Sequence, residues 1–165
     1  MSDGASFECQ DMRLSEFVDF ESIKSALPAT NKRGLFQLLG QFAAQRLGLE
    51  PAVVTAALTE REKLGSTGFG NGVAIPHGKI EGLARVWCMV ARLPEPIDYK
   101  AIDGQPVDLI FFLLSPPDAG AEHLKALAAV SRTLRHAATL EQLRGARSRD
   151  ALAAVLMGVD ERDAA

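Results

Sequence analysis

The sequence has little cysteine and no evident way to pair it. Two occur in 165 residues: Cys9 in a polar N-terminal stretch and Cys88 beside Trp87 in a strand-like run. That spacing supplies neither a disulfide framework nor the clustered thiolates of a zinc site, so free thiols in a reducing cytoplasm are expected. Long apolar runs are also missing. The most apolar ones, Leu109–Leu114 and the alanine-rich Ala151–Met157, fall far short of the ~20 residues that cross a bilayer. The N-terminus carries Asp3 and Glu8 without a basic or an apolar leader segment, so nothing reads as a signal peptide. An excess of positive charge is absent too: 18 Lys and Arg against 21 Asp and Glu give a net charge of −3. That balance argues against a nucleic-acid footprint and against an anionic membrane surface.

What is present is globular in kind. Hydrophobic residues make 47% of the chain and charged residues 24%, and the length suits one domain with its own core. Residues 1–12 are expected as a loose polar tail and 13–160 as the domain. An extended segment is expected around Phe20–Leu27. Thr30 is the expected N-cap of an amphipathic helix carrying Leu35, Leu38, Leu39, Phe42, Ala43 and Leu47, closed by Gly48. Pro51 then opens a second helix that turns Val53, Val54, Ala57 and Leu58 inward and has Arg61 in its last turns.

Further along, Arg85–Leu93 reads as a buried strand broken by Pro94-Glu95-Pro96, and Pro106–Leu114 as the central strand, with a turn at Asp103-Gly104 between them. A helix over residues 121–136 has an apolar stripe of Leu124, Leu127, Ala128, Val130 and Leu134. Thr139 with Gln142 predicts a capping box for a short helix ending at Gly145, and Ser148 caps a last helix with Leu152, Val155 and Leu156 inward. Strands alternating with helices give the fold class: α/β, a mixed sheet flanked by helices.

The chemistry concentrates in Glu60–Lys79, EREKLGSTGFGNGVAIPHGK, where Gly65, Gly68, Gly70 and Gly72 precede Pro76-His77-Gly78. Glycines at this density imply a tightly folded backbone. Val73-Ala74-Ile75 reads as a short buried strand, and Pro76, with no N–H to donate, is expected to end its ladder just before His77. An imidazole so placed suits four roles: nucleophile, general base, metal ligand or packed core group. Two glycine loops are excluded. A Walker A loop would need Ser or Thr after Gly78-Lys79, where Ile80 stands, and the dinucleotide fingerprint would need a small residue at Val73 or Ile75.

The run from Arg61-Glu62 through Gly65-Ser66-Thr67-Gly68 to Pro76-His77-Gly78-Lys79 resembles the active-site signature of the IIA phosphocarrier domains of the bacterial phosphotransferase system. The likeness is to the fructose/mannitol type and within it to the nitrogen-regulatory branch. It implies a mannitol-type IIA fold and a phosphoryl acceptor at His77. It also makes Glu122-His123-Leu124 the second histidine of the family and Arg61 its active-site arginine. Ser66, Thr67 and Asn71 are candidate hydroxyl and amide donors to phosphate; equally they suit ordinary turns. His136 is explained by its place at a helix end. The resemblance implies an HPr-like phosphocarrier (NPr) as donor and regulatory proteins as targets. It implies no cofactor and no metal.

The resemblance also allows the IIA subunit of a fructose/mannitol-type sugar permease, and two readings from other classes stand beside it. Ala43–Leu58 has the apolar spacing of a helix-turn-helix, but the would-be recognition helix offers Glu50, Thr55, Thr59 and Glu60 and no basic residue before Arg61, poor equipment for DNA. The other is an interaction domain in which His77 is never phosphorylated.

Overall fold

A computed structural model describes residues 11–164. The expected tail, apart from Asp11 and Met12, lies outside the described residues, and so does Cys9. Two short 3-10 turns, Leu14–Glu16 and Phe20–Ser22, lead into helices α1 (Lys32–Leu47) and α2 (Pro51–Lys63). Strands β1 (Gly68–Gly70), β2 (Val73–Ala74), β3 (His77–Lys79), β4 (Trp87–Ile97) and β5 (Val107–Ser115) follow. Helices α3 (Gly120–Leu134), α4 (Ala137–Gly145) and α5 (Arg149–Ala164) close the chain. The result is a single mixed α/β domain.

The sheet is organised on β5, the most apolar strand, which is buried nearly end to end. β4 pairs with it antiparallel, from Trp87 opposite Leu114 to Ile97 opposite Val107. On its other side β2 and β3 pair parallel, Val73 opposite Leu109 and His77 opposite Leu113. The offset between partners is the same in both, so β2 and β3 are two halves of one line interrupted at Ile75-Pro76. β1 turns back antiparallel on β2. Along the outer side of β4 the N-terminal segment adds parallel bridges, Val18 with Cys88 and Lys24 with Ala91.

Alternation along β5 divides the core in two. Leu109, Phe111 and Leu113 pack with Val130, Leu134, Leu143, Leu152 and Leu156 of α3–α5. Ile110, Phe112 and Leu114 pack with Leu35, Leu39, Val54 and Leu58 of α1 and α2. Each buried leucine of this kind contributes about 2 kcal/mol by removal from water. A helix layer therefore covers each face of the sheet, as a strand apolar on both faces requires. Gly40 lets α1 and α2 approach closely, since a Cβ there would meet Thr55 Oγ1.

Several local expectations are met. Gly48 closes α1 with φ 71°, Pro51 occupies the first turn of α2, and the Ser148 hydroxyl accepts from Ala151 N at 3.1 Å. Others are corrected. Asn31, not Thr30, caps α1, its side-chain oxygen accepting from Gly34 N at 2.7 Å. Phe20–Ser22 is a 3-10 turn, and the segment becomes strand-like only where Lys24 pairs. Val53 is 53% exposed because Val54 and Leu58, one turn apart, set the inward face of α2.

Pro94 and Pro96 do not end β4. The strand runs on to Ile97, and only its ladder with β5 is interrupted, between Arg92 and Ile97. Gly68–Gly70, expected within a turn-rich loop, is a strand. Thr139 and Gln142 form no capping box: α4 starts at Ala137 after His136, and Thr139, buried inside it, accepts from Arg162 Nη1 at 3.0 Å. His136 is thus the residue before α4 rather than the last turn of α3.

Candidate functional site

His77 begins β3, and the strand exists because of what Pro76 keeps. Pro76 has no N–H, but its carbonyl accepts from Leu113 N at 3.0 Å, so the parallel ladder resumes at His77. The ladder thus breaks before His77 as expected, one residue earlier than the expected strand Val73-Ala74-Ile75, but it is interrupted there and not ended. Next in the strand, Gly78 faces α2, where an added Cβ would lie 3.3 Å from that of Ala57. That close approach brings the last turn of α2, with Arg61, beside His77.

The geometry at His77 is specific. Its Nδ1 lies 2.8 Å from the Ile75 carbonyl oxygen, which can only accept, so Nδ1 carries the hydrogen. Its Nε2 then presents a lone pair, and Arg61 Nε–H donates to it at 3.1 Å. Arg61 Nη1 also donates to the Gly65 carbonyl at 3.0 Å, which ties the arginine to the glycine loop. Burial, and next among the lowering influences the Arg61 charge, hold His77 below the ordinary imidazole range, against the opposing pull of the Ile75 carbonyl and Glu62. A half-buried, neutral imidazole with an acceptor nitrogen is a competent nucleophile.

His123 completes the pair. It lies in the first turn of α3, 9% exposed, with its ring centroid 5.6 Å from that of His77 and the planes at 49°. Its Nδ1 is 2.6 Å from Ser115 Oγ. Burial first, then the neighbouring His77 and Lys79, lower its pKa. Leu124, expected in the buried stripe, is 66% exposed: the inward row of α3 is His123, Ala126, Val130 and Leu134, and Leu124 is one residue round the helix.

The structure brings Arg61, His77 and His123 together from three elements. It treats the other three candidates differently. Ser66 Oγ accepts from Gly68 N at 3.1 Å, a turn contact. Thr67 is buried: its hydroxyl donates to Glu62 Oε1 at 2.6 Å and meets the Tyr99 hydroxyl at 2.7 Å. Asn71 is not brought to the histidines. Its backbone, at φ 57°, donates to Asp103 and accepts from Arg144. The adjoining Gly72 carbonyl pairs at Asp108, five residues along β5 from Leu113, which is roughly 16 Å by strand rise.

Two residues here have roles that the sequence does not announce. Glu62 sits among Glu60, Lys63 and Arg61 on a helix that reads as solvated. It is nevertheless half-buried, accepting from Lys32 Nζ at 2.8 Å and from both the Thr67 backbone and hydroxyl. Burial alone would raise its carboxyl; Lys32 and Thr67 lower it further than that. Glu62 therefore clasps the end of α2 to the glycine loop. Ser115 is, in sequence, only the residue after the expected strand Pro106–Leu114. Among the described residues no three His, Cys, Asp or Glu side chains converge as a metal site, and no helix is long and apolar enough to cross a membrane.

Comparison with known proteins agrees on the family. The family model described as phosphoenolpyruvate-dependent sugar phosphotransferase system, EIIA 2, matches residues 16–158. A nitrogen regulatory protein of Bradyrhizobium diazoefficiens is 45% identical over 145 residues, covering 88% of this chain and 95% of that protein. A fructose-specific EIIA component of Haloferax volcanii is 35% identical over 150 residues, covering 90% of this chain and 97% of its own. The crystal structure of nitrogen regulatory protein IIA-Ntr from Neisseria meningitidis superposes with a TM-score of 0.81 at 36% identity, over 87% of this chain and 98% of that one.

Proposed function

The chain belongs to the EIIA 2 family of the phosphoenolpyruvate-dependent sugar phosphotransferase system, and from that premise we propose that it is a regulatory phosphocarrier of the nitrogen-type branch. His77 accepts a phosphoryl group from a histidine-phosphorylated HPr-like carrier (NPr), and protein partners read its phosphorylation state. The observation that carries this reading is the neutral Nε2 of His77, held as a lone pair by the Ile75 carbonyl on the opposite ring nitrogen. The domain that does so spans residues 13–160 and works in the cytoplasm.

In the transfer, the Nε2 lone pair attacks phosphorus. The new P–N bond forms as the P–N bond to the donor imidazole breaks, and the donor ring keeps that electron pair. Positive charge gathering on the His77 ring is stabilised through Nδ1–H at the Ile75 carbonyl. Arg61, displaced from Nε2, turns its guanidinium to the phosphoryl oxygens, which its forked donors fit. Ser66 and Thr67 support the site by shaping the loop that anchors Arg61, and Asn71 by holding the far end of β2. Phosphorylation adds roughly two negative charges beside His77, enough to change which partner docks there.

Two apolar side chains fit a protein donor. Leu64, just past Arg61 at the end of α2, is 84% exposed, and Leu124, next to His123, is exposed as well. Both would offer a docking partner apolar surface at residues close to Arg61 and His123 in the chain. The likeness to the Haloferax volcanii fructose-specific component favours a second reading, the IIA subunit of a sugar permease.

Intact-protein mass spectrometry tests the proposal, after incubation with phosphoenolpyruvate, the first enzyme of the chain and its carrier. One acid-labile phosphoryl group is expected on wild type and none on His77→Ala. No gain from any cognate carrier would leave the binding-only reading. Onward transfer to a fructose-type IIB domain with sugar phosphorylation would select the permease.

A further inference from the structure

Ser115 ends β5, pairs in register with Lys79 and has no exposed surface. Its carbonyl accepts from Ile80 N at 2.8 Å, so its backbone is fixed by the strand that carries His77. Among the described residues its hydroxyl makes one hydrogen bond, to His123 Nδ1 at 2.6 Å. A buried O–H without an acceptor is strongly disfavoured. The hydroxyl proton has only that ring nitrogen to go to, and a ring nitrogen that accepts carries no hydrogen of its own.

We propose that Ser115 Oγ–H donates to His123 Nδ1 and fixes the tautomer with hydrogen on Nε2, making Ser115 the positioning residue that turns His123 into an N–H donor for the phosphoryl group on His77. The tautomer stands by itself; the donor role rests on the phosphocarrier reading above. Burial, with His77 and Lys79 nearby, disfavours a second proton on His123, in keeping with one bare ring nitrogen, and the Ser115 contact selects which.

The two histidines thereby become complementary. The Ile75 carbonyl holds His77 as the Nδ1–H tautomer with Nε2 open; Ser115 holds His123 as the Nε2–H tautomer. One ring supplies the lone pair and the other, 5.6 Å away between centroids, supplies a hydrogen to the group that arrives. With both in the same tautomer, either the nucleophile or the neutral donor would be lost.

The test is long-range proton–nitrogen NMR on protein carrying ¹⁵N-histidine, for wild type, Ser115→Ala and Ser115→Thr, paired with single-turnover transfer from phosphorylated carrier. His123 is expected as the Nε2–H tautomer in wild type and in Ser115→Thr, and as a mixture in Ser115→Ala. Transfer is expected to slow about tenfold in Ser115→Ala, the loss of one aligned hydrogen bond, and to recover in Ser115→Thr. His123 found as Nδ1–H in wild type would overturn the proposal. An unchanged tautomer and rate in Ser115→Ala would do so equally. Should no variant accept phosphate while the tautomers follow this pattern, the phosphocarrier reading fails and the assignment of Ser115 holds.

Discussion

Arg61 Nε–H donates to His77 Nε2 across 3.1 Å, so the arginine proposed to hold a phosphoryl group occupies, in the unphosphorylated protein, the lone pair that would receive it. The same guanidinium is tied to the Gly65 carbonyl. Arg61 must leave Nε2 when phosphorus approaches, and the loop tether keeps it within reach of the product. A positive charge thus guards His77 from protonation, and under the proposed function the arriving anion would draw that charge away.

Arg61→Ala should therefore fold and still expose a neutral His77, but lose the cation that holds the phosphoryl oxygens. Charge-assisted hydrogen bonds of this kind contribute about 1.5–3 kcal/mol, so acceptance should slow by roughly tenfold to a hundredfold. Arg61→Lys should recover only part, because an ammonium cannot make the forked contact. Quench-flow labelling measures both; a wild-type rate in Arg61→Ala would remove the arginine from the reaction.

The pH response follows from burial. Both histidines have pKa values lowered in the fold, while in the unfolded chain they titrate near ~6.5. As pH falls, the unfolded chain takes up these protons first. The histidines' contribution to stability is then complete above about pH 6.5 and is lost as pH falls through the lowered folded values. Urea midpoints should decline below pH 6.5, and less steeply in His77→Gln. Labelling should persist somewhat below that pH, because the folded ring is still neutral there. Parallel declines in both proteins would mean His77 is not a source.

Much of this is legible in the amino-acid sequence. Gly48, Pro51 and Ser148 act locally, and each does what its side chain or missing side chain dictates. The resemblance carried by residues 61–79 points to Arg61, His77 and His123, and the fold brings them together. What is not legible depends on partners distant in sequence. Glu62 is a clasp only because Lys32 and Thr67 reach it, and Ser115 matters only because α3 returns His123 over it. β3 is a strand because the Pro76 carbonyl finds Leu113, a pairing no local pattern around a proline announces. Apolar spacing misplaces Leu124 by one residue round its helix because His123, a polar residue, takes the inward position.

The Glu62 clasp predicts a loop effect separable from the chemistry. In Glu62→Gln the ion pair with Lys32 is lost and the Thr67 contacts become neutral ones. A half-buried, multiply bonded carboxylate of this kind should cost about 2 kcal/mol to replace, or roughly 4–8 °C in Tm for a chain of this size. Hydrogen exchange should accelerate at Thr67 and Ile75, whose amides are bonded to Glu62 and to the Thr67 carbonyl. Unchanged protection there, with Tm as in wild type, would show that the loop is held by its other contacts.

Gly78 tests whether the approach of α2 to β3 sets the site. It needs no unusual backbone angle; what it provides is space, since a Cβ would sit 3.3 Å from that of Ala57. Gly78→Ala requires a movement of a few tenths of an ångström and should fold with only a modest loss of acceptance. Gly78→Val suits a strand by propensity but wedges α2 outward. Overpacking of this kind costs about 1–3 kcal/mol, and it carries Arg61 away from His77 Nε2 because both depend on that helix contact. Acceptance in Gly78→Val should therefore fall as far as in Arg61→Ala, and adding Arg61→Ala to it should lower the rate little further. Additive losses in the double variant would mean that Gly78 acts on His77 itself, through the strand, and that the helix contact does not position the arginine.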